Sequence, residues 1–299
     1  MWQSLLKNIE AGDVKSLARA ITLVENEQPG YEELLQQLPP AKHTAIIGIT
    51  GPPGAGKSTL VDGLIGEWMN KEKKVAVICV DPSSPFNLGA VLGDRIRMSE
   101  WYTHPCVFIR SVATRGAMGG LNPKIIEISD LVKAASFDYL IIETVGVGQS
   151  EIEIAGLADV TVVVVVPEAG DEVQTMKAGL MEVADIFIVN KADRPDADSF
   201  VKNLKQMLAP AFSQQQQEIP VIKTIASEKK GLNELAVAIE KFLSLQKQNE
   251  RQLWLMTEKA WQLLAGKKMK SFNRKDLMKM LETEKQKPGF NLYSFIEKL

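Results

Sequence analysis

The sequence predicts an α/β fold with a mostly parallel central sheet, helices on both of its faces, and helical extensions at the N- and C-termini. Between Thr44 and Leu245, short β-rich runs alternate with helix-patterned segments, the order that parallel strands joined by crossover helices require. The runs are largely apolar along their length, as strands buried on both faces must be. A glycine-rich turn follows the first run and leads into a helical segment, a local order that seats an anion on backbone N–H groups.

Met1 to Leu38 is polar-rich, helical in period and closed by Pro39-Pro40, so residues 1–40 form an N-terminal helical extension. The strands expected in the central domain, residues 41–246, are Thr44–Thr50, Val75–Val80, Val107–Arg110, Tyr139–Ile142, Val160–Val166, Ile186–Val189 and Val221–Lys223. The polar tract Gln214 to Gln217 reads as a surface loop. In the C-terminal extension, 247–299, Leu253, Met256, Ala260 and Leu263 recur at three- and four-residue spacing and share one helical stripe. That stripe either packs on its own domain or forms an exposed arm that pairs two subunits.

The chain has 299 residues, 45% of them hydrophobic, with a formal net charge of −2, values of an ordinary globular protein. Nothing in that balance favours a nucleic-acid partner or an anionic membrane. Cys79 and Cys106 are the only cysteines, which excludes a disulfide framework and a cysteine-rich metal site. Met1 to Glu10 lacks a leader-like apolar stretch, and Val160 to Val166 is too short to span a bilayer. The expectation is a cytoplasmic protein. His43 and His104 stand alone and read as structural or exposed, and Trp2, Trp68, Trp101, Trp254 and Trp261 share no pattern.

Gly51-Pro52-Pro53-Gly54-Ala55-Gly56-Lys57-Ser58 matches G-x-x-x-x-G-K-[ST] in the strand-to-helix context that motif needs, so the predicted fold is that of a P-loop NTPase. Glycines let backbone N–H groups turn inward around phosphates, and the helix beginning near Lys57, Ser58 and Thr59 directs its positive end at them. Lys57 would reach the β- and γ-phosphates and the Ser58 hydroxyl would ligate magnesium. Tyr139-Leu-Ile-Ile-Glu143 is an apolar strand ending in a carboxylate, with Gly146 three residues on. Such an acid can hold magnesium, directly or through water, and polarise the attacking water. Asp81 ends the second strand and Asp94 lies in Gly93-Asp-Arg-Ile-Arg-Met98. Because magnesium with phosphate ligands adds only one or two carboxylates, Ser58, Asp81, Asp94 and Glu143 are not all direct ligands.

Ile186-Phe-Ile-Val-Asn190-Lys191-Ala-Asp193 is a strand followed by N-K-x-D. A carboxylate at Asp193 accepts from guanine N1–H and its exocyclic amine, donors that adenine does not present in that arrangement. A site built on such bonds discriminates by about 10⁴-fold. Lys191 is expected to pack its stem on the base plane, Asn190 to brace the loop, and Ala226 or Ser227 to bring a backbone N–H toward guanine O6.

Val80-Asp-Pro-Ser-Ser-Pro-Phe86, Gly93-Asp-Arg-Ile-Arg-Met98, Ser111-Val-Ala-Thr-Arg-Gly116, Glu143-Thr-Val-Gly-Val-Gly-Gln-Ser-Glu151 and Gly170-Asp-Glu-Val-Gln174 together resemble the MeaB/ArgK family. These are methylmalonyl-CoA mutase-associated P-loop GTPases of the SIMIBI class, and the likeness runs from Leu38 to Leu245. The resemblance implies a homodimeric GTPase, using GTP/GDP and Mg2+, that partners an adenosylcobalamin-dependent mutase, gates its cofactor loading and protects it. It further implies a first switch over Asp81 to Gly120, a second over Glu143 to Glu153, and a third mobile segment over Gly170 to Gly179 with Gln174 and Lys177. Asn87-Leu88, Glu168 and Ile225 depart from the family pattern. Val147 follows Gly146 where Ras-like enzymes place glutamine, so intrinsic turnover on the order of 10⁻⁴ to 10⁻² s⁻¹ is expected. Lys177 leads the candidates for stabilising transition-state charge, ahead of Arg95, Arg110 and Arg115. The older kinase reading of the family and a metal-insertion GTPase are the alternatives.

Overall fold

The computed structural model describes residues 2–40, 43–81, 95–115, 121–146, 150–168, 183–215, 219–245, 250–269, 274–285, 293 and 295. Seven strands form one sheet: β1 Ala45–Thr50, β2 Val75–Asp81, β3 Val107–Ala113, β4 Tyr139–Glu143, β5 Val160–Val165, β6 Ile186–Val189 and β7 Val221–Lys223. Their order is β3-β2-β4-β1-β5-β6-β7, and every pairing is parallel. All seven expected strands are present. β3 runs three residues past Arg110, because the half-buried Arg110 and Ser111 continue the pairing with Ile78 and Cys79.

The described helices are α1 Trp2–Glu10, α2 Val14–Glu25, α3 Tyr31–Gln36, α4 Lys57–Met69, α5 Ile125–Ala134, α6 Ser150–Leu157, α7 Ala197–Gln215, α8 Leu232–Leu245, α9 Glu250–Met269 and α10 Arg274–Lys285. The tract expected as a loop at Gln214 is the last turn of α7 for Gln214 and Gln215; nothing in polar glutamine opposes a helix, since its straight side chain loses little freedom there.

Strand side chains point alternately to two layers. On one, Ile47, Ile49, Val77 and Ile141 pack with Leu60, Leu64 and Trp68 of α4 and Leu235 and Ile239 of α8. On the other, Val163, Val165, Phe187 and Val189 pack with Leu204 and Leu208 of α7. Gly48 lets α6 lie close to β1, since a Cβ there would stand 2.6 Å from Ile154 Cγ1. Trp68 is fully buried and stacks on Tyr139 at 4.3 Å between centroids. His104 is structural: its Nδ1 accepts from the Cys106 N–H at 3.3 Å. His43 is exposed.

The chain divides into two compact units, 1–252 and 253–299. The N-terminal helices belong to the first, with Asp13 capping α2 by accepting from the Ser16 N–H at 3.0 Å. In the second unit Leu253, Trp254, Met256, Trp261, Leu263 and Leu264 are all exposed. No helix among the described residues is long and apolar enough to cross a membrane.

Trp101, on the 3-10 turn Arg95–Trp101, donates from Nε1 to Asp62 Oδ1 of α4 at 2.8 Å. Burial raises the Asp62 carboxyl above the usual carboxylate range, against the opposing Trp101 hydrogen bond. A raised folded-state pKa means that ionisation weakens the fold, so the Asp62 contribution is fully present below the ordinary value of 3.8 and declines as pH rises through the raised one. Asp62→Asn keeps the acceptor for Trp101 and removes the charge. The urea midpoint of this variant is expected to move above wild type as pH rises from about 4 to 7, and unfolding curves across that range check it.

Candidate nucleotide site

Parallel pairing brings the C-terminal ends of β1, β2, β4, β5 and β6 to one edge of the sheet, the place where open α/β sheets bind ligands. From β1 the chain passes through Gly51 to Gly56 into α4. Gly51 has φ +140° and lies so close to β5 that a Cβ would stand 2.0 Å from Val164 O. Gly56 has φ +88° and would place a Cβ 2.4 Å from Asn190 Nδ2. Both positions therefore demand glycine, and their packing sets the shape of the loop.

Lys57 and Ser58, both buried, open α4. The Lys57 ammonium donates to Gly51 O at 2.8 Å and Pro52 O at 3.1 Å, so it lies across the inside of its own loop. Ser58 Oγ donates to Glu143 Oε1 at 2.7 Å. This contact brings the P-loop hydroxyl and the β4 carboxylate to one point, though 85 residues separate them in sequence. Behind it, Thr50 Oγ1 and Thr144 Oγ1 form a buried hydrogen bond of 2.8 Å that ties the ends of β1 and β4. Gly146, at φ +83°, abuts the loop: a Cβ there would meet Gly51 O at 2.0 Å and Lys57 Nζ at 2.8 Å.

Asp81, 1% exposed, ends β2 two residues beyond Cys79, the register partner of Glu143. Its main-chain oxygen accepts from the Thr114 N–H at 3.0 Å. Ser58 and Glu143, with Asp81 at the end of the adjacent strand, offer oxygen donors with at most two carboxylates, a chemistry that suits magnesium drawing its remaining ligands from phosphate and water. Among the described residues no three His, Cys, Asp or Glu side chains gather as a metal cluster of their own. Asp94 and Lys177 lie outside the described residues, as do Val147, Gln149 and the 170–179 segment; Arg95 is described in backbone only. Arg110 and Arg115 are turned to the N-terminal helices instead: Arg110 donates to Thr22 Oγ1 at 3.0 Å and Arg115 to Asn26 Oδ1 at 2.7 Å.

The base-side loops meet on Asn190, 2% exposed at the end of β6. Its Nδ2 donates to Ala55 O at 2.8 Å, while its Oδ1 accepts from Thr224 Oγ1 and from the Ala226 N–H, each at 3.1 Å. One amide thus holds the P-loop, the N-K-x-D loop and the Thr224–Lys230 turn together. Lys191, at φ +57°, extends to Gly54 O at 2.8 Å. Asp193 is exposed on that loop, and its charge adds to the rise of the neighbouring Lys230 ammonium above the usual lysine value, an effect led by the hydrogen bond to Glu228. The Ala226 amide is committed to Asn190, and Ser227 is the middle residue of the same 3-10 turn, Ala226–Glu228. Glu168, beyond β5, pairs with Arg194, next to Asp193. Sequence reasoning missed Thr50, Thr144 and Thr224; the signal was a buried hydroxyl at a strand end, visible only as a polar residue closing an apolar run.

With this geometry in place, comparison with known proteins decides the family. A family model described as Methylmalonyl Co-A mutase-associated GTPase MeaB matches residues 17–282. The chain belongs to the MeaB family. It is a GTPase and binds guanine nucleotide, as the family and its relatives' names imply. GTPase ArgK of Escherichia coli is 37% identical over 248 residues, 79% of this chain and 74% of that protein. The "Fused isobutyryl-CoA mutase" of Geobacillus kaustophilus is 38% identical over 250 residues, 78% of this chain but 23% of that protein. The crystal structure of a LAO/AO transport system kinase superposes with a TM-score of 0.67 at 26% identity, covering 96% of this chain and 93% of its own.

Two substitutions test the architecture. Asn190→Ala strands a carbonyl, an amide N–H and a hydroxyl, which costs roughly 2–4 kcal/mol; a lowered urea midpoint and equal weakening of GTP and GDP binding are expected. Gly146→Ala drives a methyl into Gly51 O and against Lys57 Nζ and is expected to cut single-turnover GTP hydrolysis by about tenfold or more, while circular dichroism stays that of the wild type.

Proposed function

We propose that this GTPase is a nucleotide-dependent regulatory chaperone of an adenosylcobalamin-dependent acyl-CoA mutase, gating its cofactor loading and protecting it, with methylmalonyl-CoA mutase as the leading partner. The observation that carries the proposal is the match to a fused mutase of which this chain's counterpart occupies 23%: a domain joined covalently in one protein is a natural partner of the same enzyme when the two are separate.

At the site, Lys57 exchanges its two carbonyl partners for β- and γ-phosphate oxygens, and Ser58 with Glu143 holds magnesium, with Asp81 and Asp94 as further candidates. When bound, that cation neutralises charge between the phosphates. Gly146 presents its N–H to the γ-phosphate, close to where the lysine ammonium lies, and Glu143 orients the attacking water. The P-loop backbone from Gly51 through Pro52, Pro53, Gly54, Ala55 and Gly56, with Thr59, cradles the phosphates; Lys191, Asp193 and Ser227 read the base, and Ala226 braces that loop through its N–H to Asn190 Oδ1. Little covalent work is asked of the protein, since phosphoryl transfer rests on position and charge. A slow intrinsic rate that rises when a partner orders the switches, with Lys177 as the charge-stabilising group, completes the reading.

We place the protein in the cytoplasm as a homodimer; the exposed apolar residues of α9 support pairing through the C-terminal extension. A small-molecule kinase, suggested by the name of the structural relative, would transfer the γ-phosphate to an amino acid instead of water.

Three measurements check this. Asp193→Asn keeps an acceptor for guanine N1–H but puts a donor where the carboxylate accepted from the exocyclic amine, a donor that suits xanthine O2, so GTP affinity is expected to fall by about 10²- to 10⁴-fold while xanthosine triphosphate binding rises; unchanged preference would remove Asp193 from the base site. A pull-down from native lysate with and without a non-hydrolysable GTP analogue is expected to recover a cobalamin enzyme in one nucleotide state, and its absence from both counts against the partner. Lys177→Ala is expected to abolish most of the partner-stimulated single-turnover rate; full retention assigns that role elsewhere.

A further inference from the structure

The N-terminal helices reach the nucleotide edge of the sheet through contacts that the site above does not use. The Glu25 carboxylate, with its side chain 10% exposed at the end of α2, lies 3.5 Å from Arg110 Nη2 and 3.6 Å from Arg115 Nη2. Asn26 adds the 2.7 Å bond to Arg115, and Arg110 donates further to Ala18 O at 3.3 Å. Both arginines belong to one short stretch: Arg110 lies on β3, and Arg115 follows Thr114, whose N–H donates to Asp81 O at 3.0 Å. Ala113 is the register partner of Asp81, and its own oxygen accepts from the buried Asn122 Nδ2 at 2.7 Å. A continuous path therefore runs from α2 through Arg115 and Thr114 to the backbone of Asp81.

Arg115 has φ +50°. An arginine adopts this left-handed conformation only when its surroundings hold it, and here the guanidinium is gripped by Glu25 and Asn26. Loss of that grip frees residue 115 to leave the left-handed region, which turns the Thr114–Arg115 peptide and, through Thr114, loosens the N–H bond to Asp81 O. We propose that Glu25 and Asn26 are positioning residues for Asp81, through which the N-terminal helices set the affinity of the nucleotide site for its divalent cation. The inference rests on the reading of Asp81 as part of the magnesium-side carboxylate set.

The test is equilibrium magnesium titration of the full chain, read as the dissociation rate of a fluorescent non-hydrolysable GTP analogue. Glu25→Ala is expected to raise the half-saturating magnesium concentration by about tenfold, the lower end of the effect of removing an outer partner at a metal site. Analogue affinity in excess EDTA stays at the wild-type value, which a general loss of structure would not permit. Glu25→Gln, which keeps an acceptor, is expected to shift it less, and Arg115→Ala combined with Glu25→Ala no further than Glu25→Ala alone. Should Glu25→Ala fail to fold, the exposed Asn26→Ala replaces it, with a shift of about threefold in the same direction. A folded Glu25→Ala variant, or Asn26→Ala in its place, with an unchanged half-saturation point overturns the proposal. Asp81→Asn separates the two ways of failing: a magnesium response unaltered in Asp81→Asn removes the reading of Asp81 itself, whereas a response altered in Asp81→Asn but not in Glu25→Ala removes only the coupling.

Discussion

The Asn190 side chain is the interaction on which the site depends. A single primary amide offers two donors and an acceptor with two lone pairs, and at this position the structure engages the P-loop with the first and the Thr224–Lys230 turn with the second. The P-loop, the N-K-x-D loop and the Thr224–Lys230 turn are thus held at a fixed separation by one planar group. Its burial makes the arrangement strict, because a buried amide left without partners costs more than its bonds contribute. The 2.7 Å contact of Ser58 with Glu143 does the same for the phosphate end. Between them the two contacts tie the P-loop and the start of α4 to the ends of β4 and β6.

Much of this was legible in the sequence because the relevant signals are local. A strand buried on both faces must be apolar throughout, so all seven strands could be read from their own residues, and glycine-rich turns at strand ends named the phosphate loop. The joining of Lys57, Ser58, Glu143 and Asn190 at one edge followed from parallel connectivity alone. What could not be read was pairing across long sequence separations. Thr50 and Thr144 are 94 residues apart, and neither carries a pattern that names the other. Arg110 and Ser111 look like a strand end, yet β3 continues through them, and the Arg110 guanidinium donates to Ala18 O and Thr22 Oγ1 of α2. The glutamine tract reads as a loop by composition, yet helix propensity carries α7 through Gln214 and Gln215.

Residue roles and residue positions proved separable. Arg110 and Arg115 occupy stretches with the charge suited to phosphate, but their guanidinium groups face Glu25, Thr22 and Asn26. Position in a motif gave the neighbourhood correctly and the direction of the side chain not at all. Guanidinium groups find carboxylates by geometry, and the carboxylate here came from an N-terminal helix whose sequence shows only a polar helical period.

Gly48 has a mechanical consequence. It is the floor on which α6 rests, with Ile154 Cγ1 and Ala158 Cβ at 2.6 and 3.1 Å from where a Cβ would stand. Three residues after Gly48 the same strand turns into the phosphate loop, and α6 continues the chain that left β4 at Glu143. Hydrogen thus acts as a shim of minimum thickness: the standoff between the α6 helix and the strand feeding the P-loop is as small as chemistry permits. Thickening that shim by one methyl would tilt α6 like a lever and displace its N-terminal end, with no atom of the ligand pocket replaced.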